Sequence, residues 1–473
     1  PYMGLIAVVL AAGQGTRMKS DLPKVLHRAA GRSLLDWALA AVAAIRPDRV
    51  LVVVGHEAEK VVATLPDWAE PVLQADQLGT GHAVSTALLR MPPESEDTVL
   101  ITYGDMPLVG SRLFERTVAG LPGKAGVMVT FAMDNPSGYG RVLRRADGGV
   151  ARVVEEKDAS AAERLVSEVN AGVYAFPARP LRAALSTIAA ANAQGEYYLP
   201  DVLSILMEGG SQVVTVEADP TEVLGVNSQD QLAEVEAQLR RRINQRWQEA
   251  GVWMQDPDRT YIDDGVELAA GVRLYPGVHL EGDTVVGEGA VLGPDVFALD
   301  SSIGPGARVW YSVLRSARVG PEAEVGPYAS LRPGTVLEAR AKAGTFVEMK
   351  NTVVGEGAKV PHLAYMGDAT VGARANVGAG TITCNYDGYE KHQTVIGEDA
   401  FIGSDTMLVA PVVIGEKAVT GAGSVITRDV EPGALAVERA EQAQISGYAA
   451  RREQRHRARA PKEPVEESPE APD

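Results

Sequence analysis

From Leu5 to about Val226, short apolar runs alternate with amphipathic stretches. Leu5–Leu10, Val50–Val54, Thr98–Tyr103 and Gly126–Phe131 are brief and almost continuously apolar, which predicts strands buried on both faces. Leu34–Ile45 and His82–Met91 carry apolar residues at three- and four-residue spacing, which predicts helices. This alternation predicts an α/β unit with a doubly wound sheet and helices on both sides. Ligands bind such sheets beyond the carboxyl ends of the strands, where strand order reverses.

The pattern then changes twice. From Ser228 to about Ala250, Leu232, Val235, Leu239, Ile243 and Trp247 form one apolar stripe, which predicts a helical rod of roughly 33 Å closed by Gly251. Beyond Gly265 an aliphatic followed by glycine recurs with a period of six, as at Val286, Leu292, Ile303, Val319, Val325, Val354, Val371 and Val377. Ile396, Ile402, Leu408, Ile414, Thr420 and Ile426 keep that register, so three hexads make one eighteen-residue coil of a triangular solenoid. The aliphatic points inward and the small residue permits the corner. Register breaks, where loops can leave a solenoid, are expected at Ser330–Thr352, Pro361–Ala369 and Asn385–Thr394.

These changes divide the chain into residues 1–227, a helical linker over 228–251, a solenoid over 252–437 and a tail over 438–473. From Arg451 the tail lacks an apolar face, which predicts disorder, above all in its distal part.

Charge and composition narrow the chemistry. Of the 473 residues, 62 are acidic and 45 basic, and the net charge of −17 argues against a general nucleic-acid or anionic-membrane binder. Anionic substrates must therefore be met by local basic groups. A single cysteine, Cys384, excludes an intrachain disulfide framework and fits a reducing compartment. The N-terminal apolar run is about eight residues long with no basic region ahead of it, too short to span a membrane and unlike a secretory signal. A cytoplasmic protein without membrane insertion is expected.

The first strand leads into Gly13, Gly15, Arg17 and Lys24, two glycines that let backbone amides approach a ligand and two cations that add positive charge. The spacing fits neither a Walker A loop nor a Gly-x-Gly-x-x-Gly dinucleotide turn. It resembles the signature loop of sugar-nucleotide pyrophosphorylases. Asp105 follows the strand ending at Tyr103, where a carboxylate can hold Mg²⁺ against phosphate oxygens. Asn227 could supply a second oxygen ligand and reads equally well as the N-cap of the following helix.

As a whole, Leu5 to Arg439 resembles the bacterial bifunctional enzymes that make UDP-N-acetylglucosamine. These join an N-acetylglucosamine-1-phosphate uridyltransferase to a glucosamine-1-phosphate N-acetyltransferase. The motifs that carry the resemblance are Gly13–Met18 with Pro23 and Lys24, Gln77–His82, Gly138–Gly140, Glu348–Asn351 and Gly378–Gly388. The family implies a Rossmann-like nucleotidyltransferase domain, a left-handed parallel β-helix of hexapeptide repeats, and a homotrimer with active sites between subunits.

In the N-terminal half the resemblance assigns Leu10, Ala11, Ala12, Gly13, Gln74, Gly79 and Thr80 to the uridine nucleotide. It assigns Tyr103, Gly104, Gly140, Glu155 and Asn170 to the sugar pocket. Arg17 and Lys24 neutralise the transferring group, and Asp105 and Asn227 are the implied Mg²⁺ ligands. In the C-terminal half it makes His362 the general base, a role suited to a side-chain type that titrates near neutral pH. Arg332, Lys350, Tyr365 and Asn376 are assigned to glucosamine-1-phosphate, and Ala379, Asn385, Tyr386, Ser404, Ala422 and Arg439 to acetyl-CoA. The implied product, UDP-N-acetylglucosamine, feeds peptidoglycan and other cell-envelope precursors.

The chain departs from the family pattern at Val360 and Pro361, where small residues are usual before the histidine, and at Ala171, which replaces threonine after Asn170. Neither removes a reacting group. A single-activity pyrophosphorylase with a regulatory β-helix leaves His362, Lys350 and the Asn385–Tyr386 loop unexplained. A non-catalytic scaffold would lack the cations and the ligands at Arg17, Lys24, Asp105 and Asn227.

Overall fold

The structure is a computed structural model that describes residues 4–190, 192–208 and 210–459. Its N-terminal sheet runs in the order Val213–Glu217, Gly126–Ala132, Glu168–Pro177, Thr98–Tyr103, Leu5–Ala11, Arg49–Val54, Ala69–Leu73. Leu5–Ala11 pairs in parallel with Arg49–Val54 on one side and Thr98–Tyr103 on the other. The order of the chain reverses across it, so the carboxyl end of the first strand is the switch point where the signature loop begins. Alternation along that strand fills two cores at once. Ile6, Val8 and Leu10 face helices Thr80–Leu88, Ala178–Leu185 and Asp201–Glu208, whereas Ala7, Val9 and Ala11 face Leu34–Ala44 and Ser111–Ala119. Glu168–Pro177 departs from a uniformly parallel sheet, running antiparallel to both neighbours with a register shift between Asn170 and Tyr174.

The predicted linker is a helix over Gln229–Glu249. Ser228 stands at its N-cap, so Asn227 is left outside the helix. Gly251 closes it at φ 93°, with the Val252 amide donating to the Trp247 carbonyl at 2.9 Å. Val235, Leu239 and Ile243 are buried in one core with Met18, Ala30 and Leu34 from the first unit and with the first solenoid coils. Asn244, also buried, donates to the carbonyls of Pro257 and Thr260 at 2.8 and 2.9 Å.

The solenoid consists of three parallel sheets of eleven, ten and nine strands. Every hexad aliphatic named above is buried. Leu274, Leu292, Val309, Val325, Ala343 and Val360 stack as successive partners, with steps of 18, 17, 16, 18 and 17 residues. The coil length therefore varies, and this corrects two of the expected loops. Ser330 pairs with Glu348 and Glu348 with Tyr365, so 330–352 and 361–369 remain within ordinary coils, the latter part of a 17-residue step. Only the third break is a true insertion, because Ile382 pairs with Met407 across 25 residues.

Except at Gly293 and Gly326, which have φ of 96° and 109°, the glycine after the aliphatic answers to proximity and not to backbone freedom. A Cβ on Gly397 would lie 2.5 Å from the Glu416 amide nitrogen of the next coil. Left-handed backbone falls at all three corners, and the one between the eleven- and ten-stranded sheets shows it coil after coil. There Tyr311, Tyr328, Phe346, Leu363, Gly380, Asp405 and Gly423 all have positive φ. The tail also requires a correction, because Tyr448–Arg459 is a helix with every side chain exposed. Its alanines, arginines, Glu453 and Gln454 are strong helix formers, and Glu453 pairs with Arg457 at 2.6 Å one turn on. The rest of the expected disordered tail, 460–473, lies outside the described residues. Among the described residues no helix is long and apolar enough to cross a membrane.

Candidate active sites

A cavity of about 710 Å³ opens at the switch point. Leu10, Ala11, Ala12, Gly13, Arg17, Lys24, Gln74, Gly79, Thr80, Tyr103, Asp105, Gly140, Glu155, Asn170 and Asn227 all line it. Gly104 does not, and its vacant side-chain position is turned toward Leu35, Ala11 and Val25, where a Cβ would stand 3.0 to 3.4 Å from their side chains. The two loop glycines act differently. Gly15 needs its φ of 64°, and a Cβ there would stand 2.6 Å from that of Lys24, whereas Gly13 faces open space and keeps the cavity clear.

The Lys24 ammonium sits between two oxygens, pairing with Asp105 Oδ2 and donating to Asn227 Oδ1 at 3.0 Å. Asp105 is no helix cap, since the next helix starts at Ser111 behind Gly110. Its backbone carbonyl accepts the Val226 amide at 2.9 Å, which brings Asn227 alongside. Two hard oxygen donors thus converge on one cationic point, the donor chemistry that suits Mg²⁺.

Other parts of the cavity lining are anchored by hydrogen bonds. Asn170 spends its side chain locally, donating to the Tyr174 hydroxyl at 2.5 Å and accepting the Gly172 amide at 3.0 Å. Gln74 is buried and donates to the Gly79 carbonyl at 3.2 Å, while Thr80 Oγ1 accepts the Leu199 amide at 3.0 Å. Burial raises the Tyr103 hydroxyl well above its usual range, reinforced by the Glu155 and Asp105 charges. Burial also pushes the Glu155 carboxyl up to about 7, with Asp201 and Asp158 adding repulsion. Sequence reasoning missed Tyr139 and Glu196, which also line the cavity. Tyr139 lies inside the Gly138–Gly140 motif, of which the resemblance assigns only Gly140. Its ring packs edge-on to Phe131 at 5.4 Å.

The second set of residues straddles one edge of the prism. Lys359–His362 belongs to the eleven-stranded sheet and Tyr365–Gly367 to the ten-stranded sheet, so His362 stands just before their shared corner. Backbone bonds from Gly380 to Leu363, Asp405 to Ala379 and Gly423 to Ser404 carry that corner through the next coils. Ala379, Ser404 and Ala422 therefore line up along the edge from His362, and Arg439 returns to donate to the Ala422 carbonyl at 2.9 Å.

On the ten-stranded side lie Arg332, Lys350, Tyr365 and Asn385. The neighbouring Lys391, with Arg332 beyond it, holds the Lys350 ammonium below its ordinary value. Arg332 pairs with Glu348 at 2.7 Å. Asn385 is buried and donates to Asp368 at 2.7 Å, at the root of the inserted loop that carries exposed Tyr386. On the eleven-stranded side, His362 and Asn376 share a cavity of about 600 Å³ with Lys342 and Lys359. Asn376 is therefore not brought onto the face that holds Lys350 and Tyr365.

Comparison with known proteins bears on both halves. Residues 7–195 match the MobA-like NTP transferase domain, and residues 393–428 match the bacterial transferase hexapeptide (six repeats) family. The bifunctional protein GlmU of Heliobacterium modesticaldum is 49% identical over 438 residues, spanning 92% of this chain and 95% of that protein. That of Streptomyces avermitilis is 47% identical over 94% of each chain. That of Desulfitobacterium hafniense is 46% identical over 93% of this chain and 98% of its own. Alignments of this length take in the nucleotidyltransferase sheet, the linker and the left-handed β-helix, and the chain accordingly belongs to the bifunctional protein GlmU family.

Proposed function

We propose that the chain makes UDP-N-acetylglucosamine in two steps, divided between residues 1–227 and the β-helix of residues 252–437. Acetyl-CoA first acetylates glucosamine-1-phosphate. UTP then reacts with N-acetylglucosamine-1-phosphate and pyrophosphate is released. One observation carries this reading: a cationic phosphate cradle facing Asp105 and Asn227 occurs in the same chain as a solenoid edge that runs from His362 to Arg439.

In the N-terminal cavity, Leu10 to Gly13, Gln74, Gly79 and Thr80 hold the uridine nucleotide, while Tyr103, Gly140, Glu155 and Asn170 orient the sugar. A sugar-phosphate oxygen attacks the α-phosphorus of UTP, the bond to the β-phosphate oxygen breaks, and pyrophosphate leaves. Such transfer depends on in-line positioning and charge neutralisation more than on a protein nucleophile. Arg17 and Lys24 supply the neutralising charge. Asp105 and Asn227 would hold Mg²⁺, which supplies further charge neutralisation at the phosphates.

On the β-helix, Arg332, Lys350, Tyr365 and Asn376 bind glucosamine-1-phosphate, and Ala379, Asn385, Tyr386, Ser404, Ala422 and Arg439 bind acetyl-CoA. His362 takes a proton from the sugar ammonium, the freed amine attacks the thioester carbonyl, and the C–S bond breaks to release CoA. Asn376 and Lys350 lie on different faces, which supports a site completed by a neighbouring copy. So does the aromatic ladder of Tyr311, Tyr328 and Phe346 on the same edge, with ring centroids 5.6 and 5.4 Å apart and Tyr328 and Phe346 more than half exposed. We take the assembly to be a homotrimer working in the cytoplasm, which the lone unpaired Cys384 supports.

The test incubates the protein with Mg²⁺, UTP, acetyl-CoA and glucosamine-1-phosphate, following free thiol and pyrophosphate separately. Release of both is expected. Pyrophosphate only when N-acetylglucosamine-1-phosphate is supplied would remove the acetyltransferase half.

A further inference from the structure

The loop carrying Arg17 and Lys24 is held from behind by parts of the chain outside its own sheet. At one end, Met18 is buried in the core shared with the linker helix and the solenoid, and its carbonyl accepts from Gln229 Nε2 at 3.1 Å. At the other, Lys24 opens a short turn, Lys24–Leu26, that leads into the hairpin Arg28–Ala29 and Arg32–Ser33.

The tip of this hairpin rests on the first solenoid coil. The Asp264 amide donates to the Ala30 carbonyl at 3.0 Å, and the Ala30 amide donates to Glu236 of the linker at 2.6 Å. Gly31, at φ 87°, leaves no room, since a Cβ there would stand 2.7 Å from that of Asp263. The Asp264 carboxylate, only 9% exposed, pairs with Arg32 of the hairpin at 2.6 Å and with Arg246 of the linker at 3.1 Å. One carboxylate from the β-helix half thus joins all three parts of the chain, six residues from the phosphate-gripping lysine at Ala30.

We infer that Asp264 is a positioning residue for uridyl transfer: it fixes the hairpin behind Lys24 and so the placement of the cationic loop over the cavity. The geometry favours this over a purely local ion pair, because the hairpin is bound to Asp264 through both a backbone bond and a side-chain bridge. The linker fixes Asp264 from the opposite side. Without that carboxylate the tip keeps its backbone bonds to Asp264 and Glu236 but loses the charged bridge that ties Arg32 to the linker's Arg246, and displacements near 1 Å can cost about 100-fold in rate.

The inference rests on the uridyl-transfer reading, and its test separates the two. Wild type, Asp264→Asn and Asp264→Glu are compared for pyrophosphate release, with kcat and KM for UTP resolved, and for acetyl transfer and thermal unfolding in the same preparations. Wild type without pyrophosphate release would overturn the uridyl-transfer reading itself. Given an active wild type, Asp264→Asn is expected to lower uridyl-transfer kcat at least tenfold while acetyl transfer holds and the protein stays folded at the assay temperature, and Asp264→Glu to recover part of the loss. A second variant, Arg32→Ala, is expected to give a similar loss that adds little to that of Asp264→Asn. Unchanged uridyl kinetics in folded Asp264→Asn, or equal losses in both activities, would overturn the inference.

Discussion

Lys24 Nζ stands 3.0 Å from Asn227 Oδ1, a bond that spans 203 residues of sequence and ends at the position just before the linker helix. The same ammonium pairs with Asp105. Because the two oxygens meet at one cationic point, Asp105→Ala is expected to reduce uridyl transfer by about 100-fold or more while sparing acetyl transfer. Parallel assays of pyrophosphate and free thiol check this, and equal loss of both in folded protein would contradict separate sites.

His362 lies on the other half of the chain, at the corner that continues through Ala379, Ser404 and Ala422. General-base catalysis contributes about 10²–10⁴-fold. His362→Ala should therefore cut acetyl transfer by that order and leave pyrophosphate release intact. Near-normal thiol release would remove His362 from the role.

Glu155 gives the N-terminal site a pH dependence. Its carboxyl is raised by burial from an ordinary value near 4.5 to about 7, so the folded protein holds that proton more tightly than the unfolded chain. Stability from this group is complete below pH 4.5 and is lost as pH rises through 7, by on the order of 3 kcal/mol. Between pH 5 and 8, wild type should lose more stability to denaturant than Glu155→Gln, whose side chain does not ionise. Identical pH slopes would contradict the shift.

Asn244 fastens the linker to the solenoid entrance through two buried carbonyls. Asn244→Ala removes both donors at once and is expected to cost about 2 kcal/mol. Denaturant unfolding of the variant checks the figure, and an unchanged midpoint would show that the carbonyls find other partners.

Features with strong periodicity were legible in the sequence. The run from Leu5 to Leu10 divides its side chains between two cores because a strand alternates, and Ile396 to Ile426 bury every sixth residue because the solenoid repeats. Asn227 could not be separated from an N-cap until Ser228 was seen to hold that place. The breaks expected near 330 and 361 failed because a coil one residue short, as between Val313 and Ser330 and between Glu348 and Tyr365, upsets a six-residue count without releasing the chain from the ladder. The helix at Tyr448–Arg459 was missed because its signal is propensity and one ion pair, not an apolar stripe. Glu196 reaches the cavity from a loop whose position depends on how the sheet is threaded, and no local pattern announces that.

The 25-residue step between Ile382 and Met407 shows how this architecture separates novelty from risk. Each coil reads only its neighbours. The extra residues leave the ladder at Asn385 and rejoin it at Thr394, with Val395 pairing Val413 as though nothing had intervened. Closing a short loop costs little more as it lengthens. The β-helix can thus vary its chemistry by outgrowth at one corner, leaving the interior that supports it unaware of the change.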